Sequence, residues 1–100
     1  MAVTSKVLAR TAAATSSTTL YTVPSATTAV ITNIAVANSA STAGTFTILL
    51  NDIELHKDTF IDSNSTVYVD LKQVLPTTQT IKGLASATTI DFHISGVEIA

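Results

Sequence analysis

Ile90-Asp91-Phe92-His93-Ile94-Ser95 alternates apolar and polar residues without a break, which is the two-residue period of a strand with one face in a core. Gly96 follows as a candidate bulge, and Val97 and Ile99 carry the apolar positions onward. The same period recurs toward the amino terminus. Thr80 to Ala85 is a short strand containing Gly83; Val74-Leu75 stops at Pro76, and Thr66 to Leu71 turns Val67, Val69 and Leu71 toward the core. Asp62-Ser63-Asn64-Ser65, after Phe60-Ile61, is a turn of residues whose side chains bond their own backbone. Phe46, Ile48 and Leu50 alternate into a turn at Asn51-Asp52, and Ile53 and Leu55 return on one face, so residues 45 to 56 read as a hairpin.

Thr28 to Asn38 (TAVITNIAVAN) places Val30, Ile34 and Val36 on one face and Ile31, Ala35 and Ala37 on the other. Both faces are apolar, as expected of a strand between two layers or one covered by another subunit. Before it, Leu20-Tyr21-Thr22-Val23 runs into Pro24, whose missing N–H ends a strand or confines it to an edge. Residues 2 to 9 alternate loosely, with Val3, Val7 and Ala9 against Thr4 and Lys6, and form a first strand or extended arm. Thr11 to Thr19 is small, polar and unpatterned; with Ser39 to Gly44 it supplies the flexible connections. The chain therefore divides into an N-terminal strand, arm and tether over 1–17 and a β-sandwich body over 18–100. About eight short strands with regular turn signals, and no sustained 3.6-residue period, predict an all-β fold without substantial helix. The architecture is an antiparallel β-sandwich, either a jelly roll or an immunoglobulin-like Greek key.

Composition agrees. Thr, Val and Ile supply 37 of the 100 residues, and these side chains suit a pleated, half-buried surface. Charged residues are 12% and apolar ones 46%, a balance that excludes a disordered polyampholyte. With no cysteine there is neither disulfide nor thiolate chemistry. A net charge of -2 lacks the basic footprint of a nucleic-acid binder, and no apolar run approaches the roughly 20 residues that span a bilayer as a helix. All seven acids lie beyond residue 50, whereas Lys6 and Arg10 are the only charges before it. The N-terminal segment is thus suited to an acidic neighbouring surface.

The residues that could carry chemistry do not assemble into a motif. His56 and His93 show no metal-ligand spacing; Asp52 with Glu54, and Asp58 with Asp62, fall at or beside turns where carboxylates bond backbone. Ser95-Gly96 lacks the glycine pair of a nucleophile elbow. Asn64-Ser65-Thr66 matches the glycosylation triplet but also encodes the turn. Without tryptophan, and with only Tyr21 and Tyr68 as polar aromatics, the chain is poorly equipped to stack on sugars. The expectation is no catalysis, no metal and no cofactor. Function then rests on contact. A 10.4 kDa chain with a mean hydropathy of +0.44 has little polar side-chain area to cover its outer faces, so self-association is expected. The candidate subunit contacts are Val3, Lys6, Val7 and Arg10 in the first segment and Ile31, Ala35 and Ala37 on the third strand.

Taken in order, Leu20-Tyr21-Thr22-Val23-Pro24, the Ala/Val/Ile strand ending at Asn38, Asn51-Asp52, Ile61-Asp62-Ser63-Asn64-Ser65, Val74-Leu75, Ala85-Ser86 and Ile94-Ser95-Gly96-Val97-Glu98-Ile99 resemble the small all-β virion proteins of tailed bacteriophages. The resemblance spans residues 18 to 99 and lies in the order and spacing of the motifs. Asp62-Ser63 stands where that group more often has Pro-Ala, and the turn chemistry is unchanged. The resemblance implies a capsid decoration (cement) protein on the outside of the shell. Its partners would be the major capsid protein and further copies of itself, commonly in a trimer. The alternative it leaves open is a tail, neck or host-contact module of the virion.

Overall fold

The structure, a computed structural model, describes residues 2–100. Eight strands follow in order: β1 (Val3–Ala12), β2 (Thr18–Thr22), β3 (Thr28–Asn38), β4 (Gly44–Leu50), β5 (Ile53–Ile61), β6 (Ser65–Leu75), β7 (Thr80–Ala85) and β8 (Ile90–Ile99). No helix occurs among the described residues. One sheet has the order β1-β8-β3-β6 and the other β2-β7-β4-β5, with every neighbouring pair antiparallel. The pairs β4 with β5, β3 with β6, β2 with β7 and β1 with β8 are nested around a single hairpin. That wind is a jelly roll, which resolves the choice left open by the strand pattern.

The hairpin at the centre of the nest turns at Asn51 and Asp52, whose φ angles of 52° and 63° are the two left-handed residues of a type I′ turn. Its twist matches that of the strands. β5 runs on to Ile61, past the His56 at which the sequence hairpin stops, because Thr47 is buried and its hydroxyl accepts the Asp58 N–H at 3.0 Å. This carries the strand through an irregularity at Lys57 and Asp58.

The core lies between the sheets. Ile90, Phe92 and Ile94 of β8 are fully buried, as are Ile31, Ile34 and Val36 of β3 and Ile48 of β4. Phe46 of β4 meets Phe92 edge-on at 6.4 Å, an arrangement aromatic pairs favour. It ties the two sheets together across the core. Gly83 faces the Phe92 ring across the core, and a Cβ there would lie 3.1 Å from it.

Ile31 departs from the simple alternation. It is buried in the core and does not share an outer face with Ala35 and Ala37, which are half-buried on the outside. The cause is an extra residue, Thr32, between the pairs Ile31 to Gly96 and Asn33 to Ser95. The flanking strands carry irregularities at the same level: Leu8 is the extra residue in β1, and Leu71 with Lys72 oppose Thr32 in β6. Bulges thus cross the sheet beside Gly96, not within its own strand. In β1 the bulge brings Leu8 and Ala9, consecutive in sequence, into the core together. Val3 and Val7 stay exposed, so Ala9 does not share their face.

β1 is the edge strand of its sheet, paired with β8 along its length. Ala2 and Ala100 exchange both backbone hydrogen bonds at its end. Because Leu8 and Ala9 fill the core, β1 is part of the sandwich, and removing residues 1 to 10 would open it. The connection from Ala13 to Ser17 is also tied down, with Ala13 buried and Ala13 N–H donating to Ile90 O at 2.8 Å.

The Ser39 to Gly44 connection is pinned by Asn38, one of two buried polar residues among those described. Its amide nitrogen donates to Thr42 O at 2.9 Å and to Asp62 O at 3.2 Å, and its Oδ1 accepts the Ala40 N–H at 3.1 Å. Asn38→Ala leaves those three partly buried partners without the amide and is expected to cost about 1 to 3 kcal/mol in urea unfolding. An unchanged midpoint would show that water replaces the amide fully.

Candidate functional site

Cross-strand register fixes which side chains share the outer face of the β1-β8-β3-β6 sheet. Gly96, Ile94 and Phe92 point inward, so Val97, Ser95, His93 and Asp91 point outward with their partners. Four rows result. Ser5, Val97, Val30 and Val74 form one; Val7, Ser95, Asn33 and Asp70 the next; Arg10, His93, Ala35 and Tyr68 the third; Ala12, Asp91, Ala37 and Thr66 the last. Val3 (65% exposed), Val74 (61%) and Tyr68 (69%) stand open to solvent. This face gathers Val3, Val7, Arg10, Ala35 and Ala37 from the sequence-derived contacts, and excludes Ile31. Arg10 Nε donates to His93 Nδ1 at 3.2 Å, which links the β1 and β8 side chains across the face.

Lys6 goes elsewhere. It belongs to the inward parity of β1, beside Gly96, and its ammonium meets Glu98 at 3.3 Å. Glu98 also accepts a hydrogen bond from the Tyr21 hydroxyl, so one carboxylate joins β8 and β1 of the first sheet to β2 of the second. The Tyr21 bond, aided by Lys6, holds the Glu98 carboxyl below the usual carboxylate range. Burial first, then the bond to Glu98 and its charge, push the Tyr21 phenol up. The signs fix a pH window. A lowered carboxyl stabilises the fold above its ordinary value of 4.5 and loses that contribution as pH falls. A raised phenol stabilises it below 10.0 and loses that contribution as pH rises. Tyr21→Phe is therefore expected to lower the melting temperature near neutrality and to flatten its fall toward both extremes. A variant profile parallel to the wild type at about pH 3 and about pH 11 would rule the clasp out.

Several other titratable groups serve turns and surface pairs. Asp52 meets Lys82 at 2.7 Å, Glu54 meets Lys57 at 3.8 Å, and Asp62 Oδ1 accepts the Ser63 N–H at 2.8 Å. His56 lies on β5 of one sheet, 3.4 Å from the Thr59 hydroxyl, and His93 on β8 of the other. Among the described residues no three of His, Cys, Asp and Glu gather as a metal site would require.

A second apolar feature lies where β5 and β6 leave the sandwich open: a cleft of about 360 Å³ lined by Leu50, Ile53, Leu55, Val74 and Leu75 with polar rims. Ile53 is 71% exposed at its mouth, although its alternation with Leu55 reads as inward. Comparison with protein-family models and with curated proteins finds no match to this chain.

The sequence did not disclose Asn38 or the Tyr21 to Glu98 clasp. For Asn38 a signal existed: a polar amide ending an apolar strand, directly before a run of small residues. For the clasp there was none, because 77 residues separate its halves.

Proposed function

We propose that this chain is a structural protein of a bacteriophage virion, a decoration protein that binds the outside of the major capsid shell and stabilises it by contact. The observation that carries the reading is the coincidence of two patterns. The ordered motifs from Leu20 to Ile99, which resemble small phage virion proteins, fall on the successive strands and turns of a jelly roll, an architecture that viral capsid domains share. β1 supplies the means of attachment. Its outer edge has no neighbouring strand in the sheet, so its free N–H and C=O groups can extend a sheet on the shell, and Val3 beside it adds apolar area.

The protein works by buried area and backbone pairing, with neither cofactor nor reaction. The test is its position in a reconstruction of virions carrying a tagged copy. Hundreds of copies spread over the shell are expected. A few copies at one vertex, at the neck or along the tail would replace the decoration reading with the tail or host-contact one. Absence from the particle would overturn both.

A further inference from the structure

We infer that the outer face of the β2-β7-β4-β5 sheet carries a binding site for a single hydroxyl-rich ring of a glycan. The site is a pocket of about 250 Å³ whose lining includes Thr15, Thr45, Thr47, Asp58, Leu84 and Ser86. It arises from the irregularity in β5. There Lys57 and Asp58 together oppose Thr47 of β4, and Asp58 takes a left-handed φ of 45°. On the far side the connection between β1 and β2 is held to the end of β7, where the Ala85 N–H donates to Ala14 O at 3.0 Å. Between these walls Thr47 is only 5% exposed, although it takes the outward place on β4 between the inward Phe46 and Ile48.

Unused hydrogen-bonding capacity selects the ligand. Among the described residues the Thr47 hydroxyl is engaged only as an acceptor, from the Asp58 N–H at 3.0 Å, so its own proton needs an acceptor in whatever fills the pocket. The Asp58 carboxylate has neither an ion pair nor a hydrogen bond among the described residues, and it needs donors. An ammonium or guanidinium meets only the second need, because it donates and never accepts. A phosphate or carboxylate meets only the first and is repelled by Asp58. Adjacent sugar hydroxyls meet both: one accepts from Thr47 while its neighbours donate to Asp58 in charge-assisted bonds. The volume lies below the roughly 300 Å³ at which pockets for drug-sized ligands begin, and so suits one ring. Leu84 offers apolar surface to the C–H face of that ring. Phe60, 65% exposed and the cross-strand partner of Thr45, stands on the same outward face and adds an aromatic platform. Tyr21 and Tyr68, the polar aromatics, lie elsewhere in the fold. The inference does not rest on the virion reading, since β1, whose edge that reading uses, belongs to the other sheet.

The test uses the full chain in solution. Amide nitrogen–proton correlation spectra are followed while the methyl glycosides of glucose, galactose, mannose and N-acetylglucosamine are added in turn, with n-butylammonium as a lysine-like comparison. At least one glycoside should give saturable shifts at Thr45, Thr47, Asp58 and Ser86, with a dissociation constant of about 1 mM, as one small ring allows. Asp58→Asn, which keeps the size and tolerates the left-handed φ, and Phe60→Ala should each weaken binding at least about tenfold with an unchanged thermal melt. Tyr68→Ala, on the other sheet, should leave binding as it is. Three outcomes overturn the proposal: no saturable shift with any of these glycosides, shifts at the same residues that n-butylammonium matches, or glycoside binding that Asp58→Asn or Phe60→Ala leaves intact. None of them bears on where the protein sits in a virion.

Discussion

Gly96→Ala is expected to abolish stable folding. A Cβ at this position would sit 2.3 Å from the Val30 carbonyl oxygen and 2.9 Å from the Leu8 side chain. The first contact is with backbone of a paired central strand, so no rotamer change relieves it. β8 or β3 must move, and between them they carry Ile31, Ile34, Val36, Ile90, Phe92 and Ile94, all fully buried. A shift of that kind costs more than about 4 kcal/mol, a large share of what a domain of this size possesses. Loss of the cooperative urea transition in the variant is the expected result. A midpoint within about 1 kcal/mol of wild type would show that the bulges at Leu8 and Thr32 absorb the methyl group.

The second large effect separates two residues that a strict alternation puts on one face. Ile31→Asp places a carboxylate in the core without a partner and should unfold the protein, costing several kcal/mol. Ala35→Asp, four residues on, places the same group on the outer face and should lower stability by no more than about 1 kcal/mol. Circular dichroism melts of the two variants decide the matter. Equal losses would mean that the bulge at Thr32 does not set the faces of β3.

These two residues also show what was legible beforehand. β8 reads correctly from Ile90 to Ser95, where each apolar position meets the core and each polar one the outside; beyond it Gly96 takes the inward place, and Val97 and Ile99 fall on the outer face instead of continuing the core. The Asn51-Asp52 turn is readable from its residues, since few others accept two consecutive left-handed conformations. The number of strands and the sandwich follow from the same periodicities. A bulge leaves no such mark. It inserts one residue and reverses the parity of everything beyond it; here Thr32 bulges opposite the Ser95-Gly96 step, 63 and 64 positions away. The contact residues suffered accordingly: Val3, Val7, Arg10, Ala35 and Ala37 share a face, Ile31 is in the core, and Lys6 turns to Glu98. Ser39 to Gly44 reads as slack because its composition is small and polar, yet a buried amide outside the segment holds it.

The nested pairing has a kinetic consequence. Only β4 and β5 are joined by a two-residue turn, so only they can meet without closing a long loop; β3 with β6, β2 with β7 and β1 with β8 each span a longer stretch than the last. Loop-closure entropy then favours a zipper that starts at Asn51-Asp52 and proceeds outward. Substitutions at the turn act on the folding limb of a chevron plot, whereas substitutions in β1 act on the unfolding limb. The strand that closes last is the first to open, and amide exchange at Val3 to Ala12 is expected to report that opening ahead of exchange in β4 and β5.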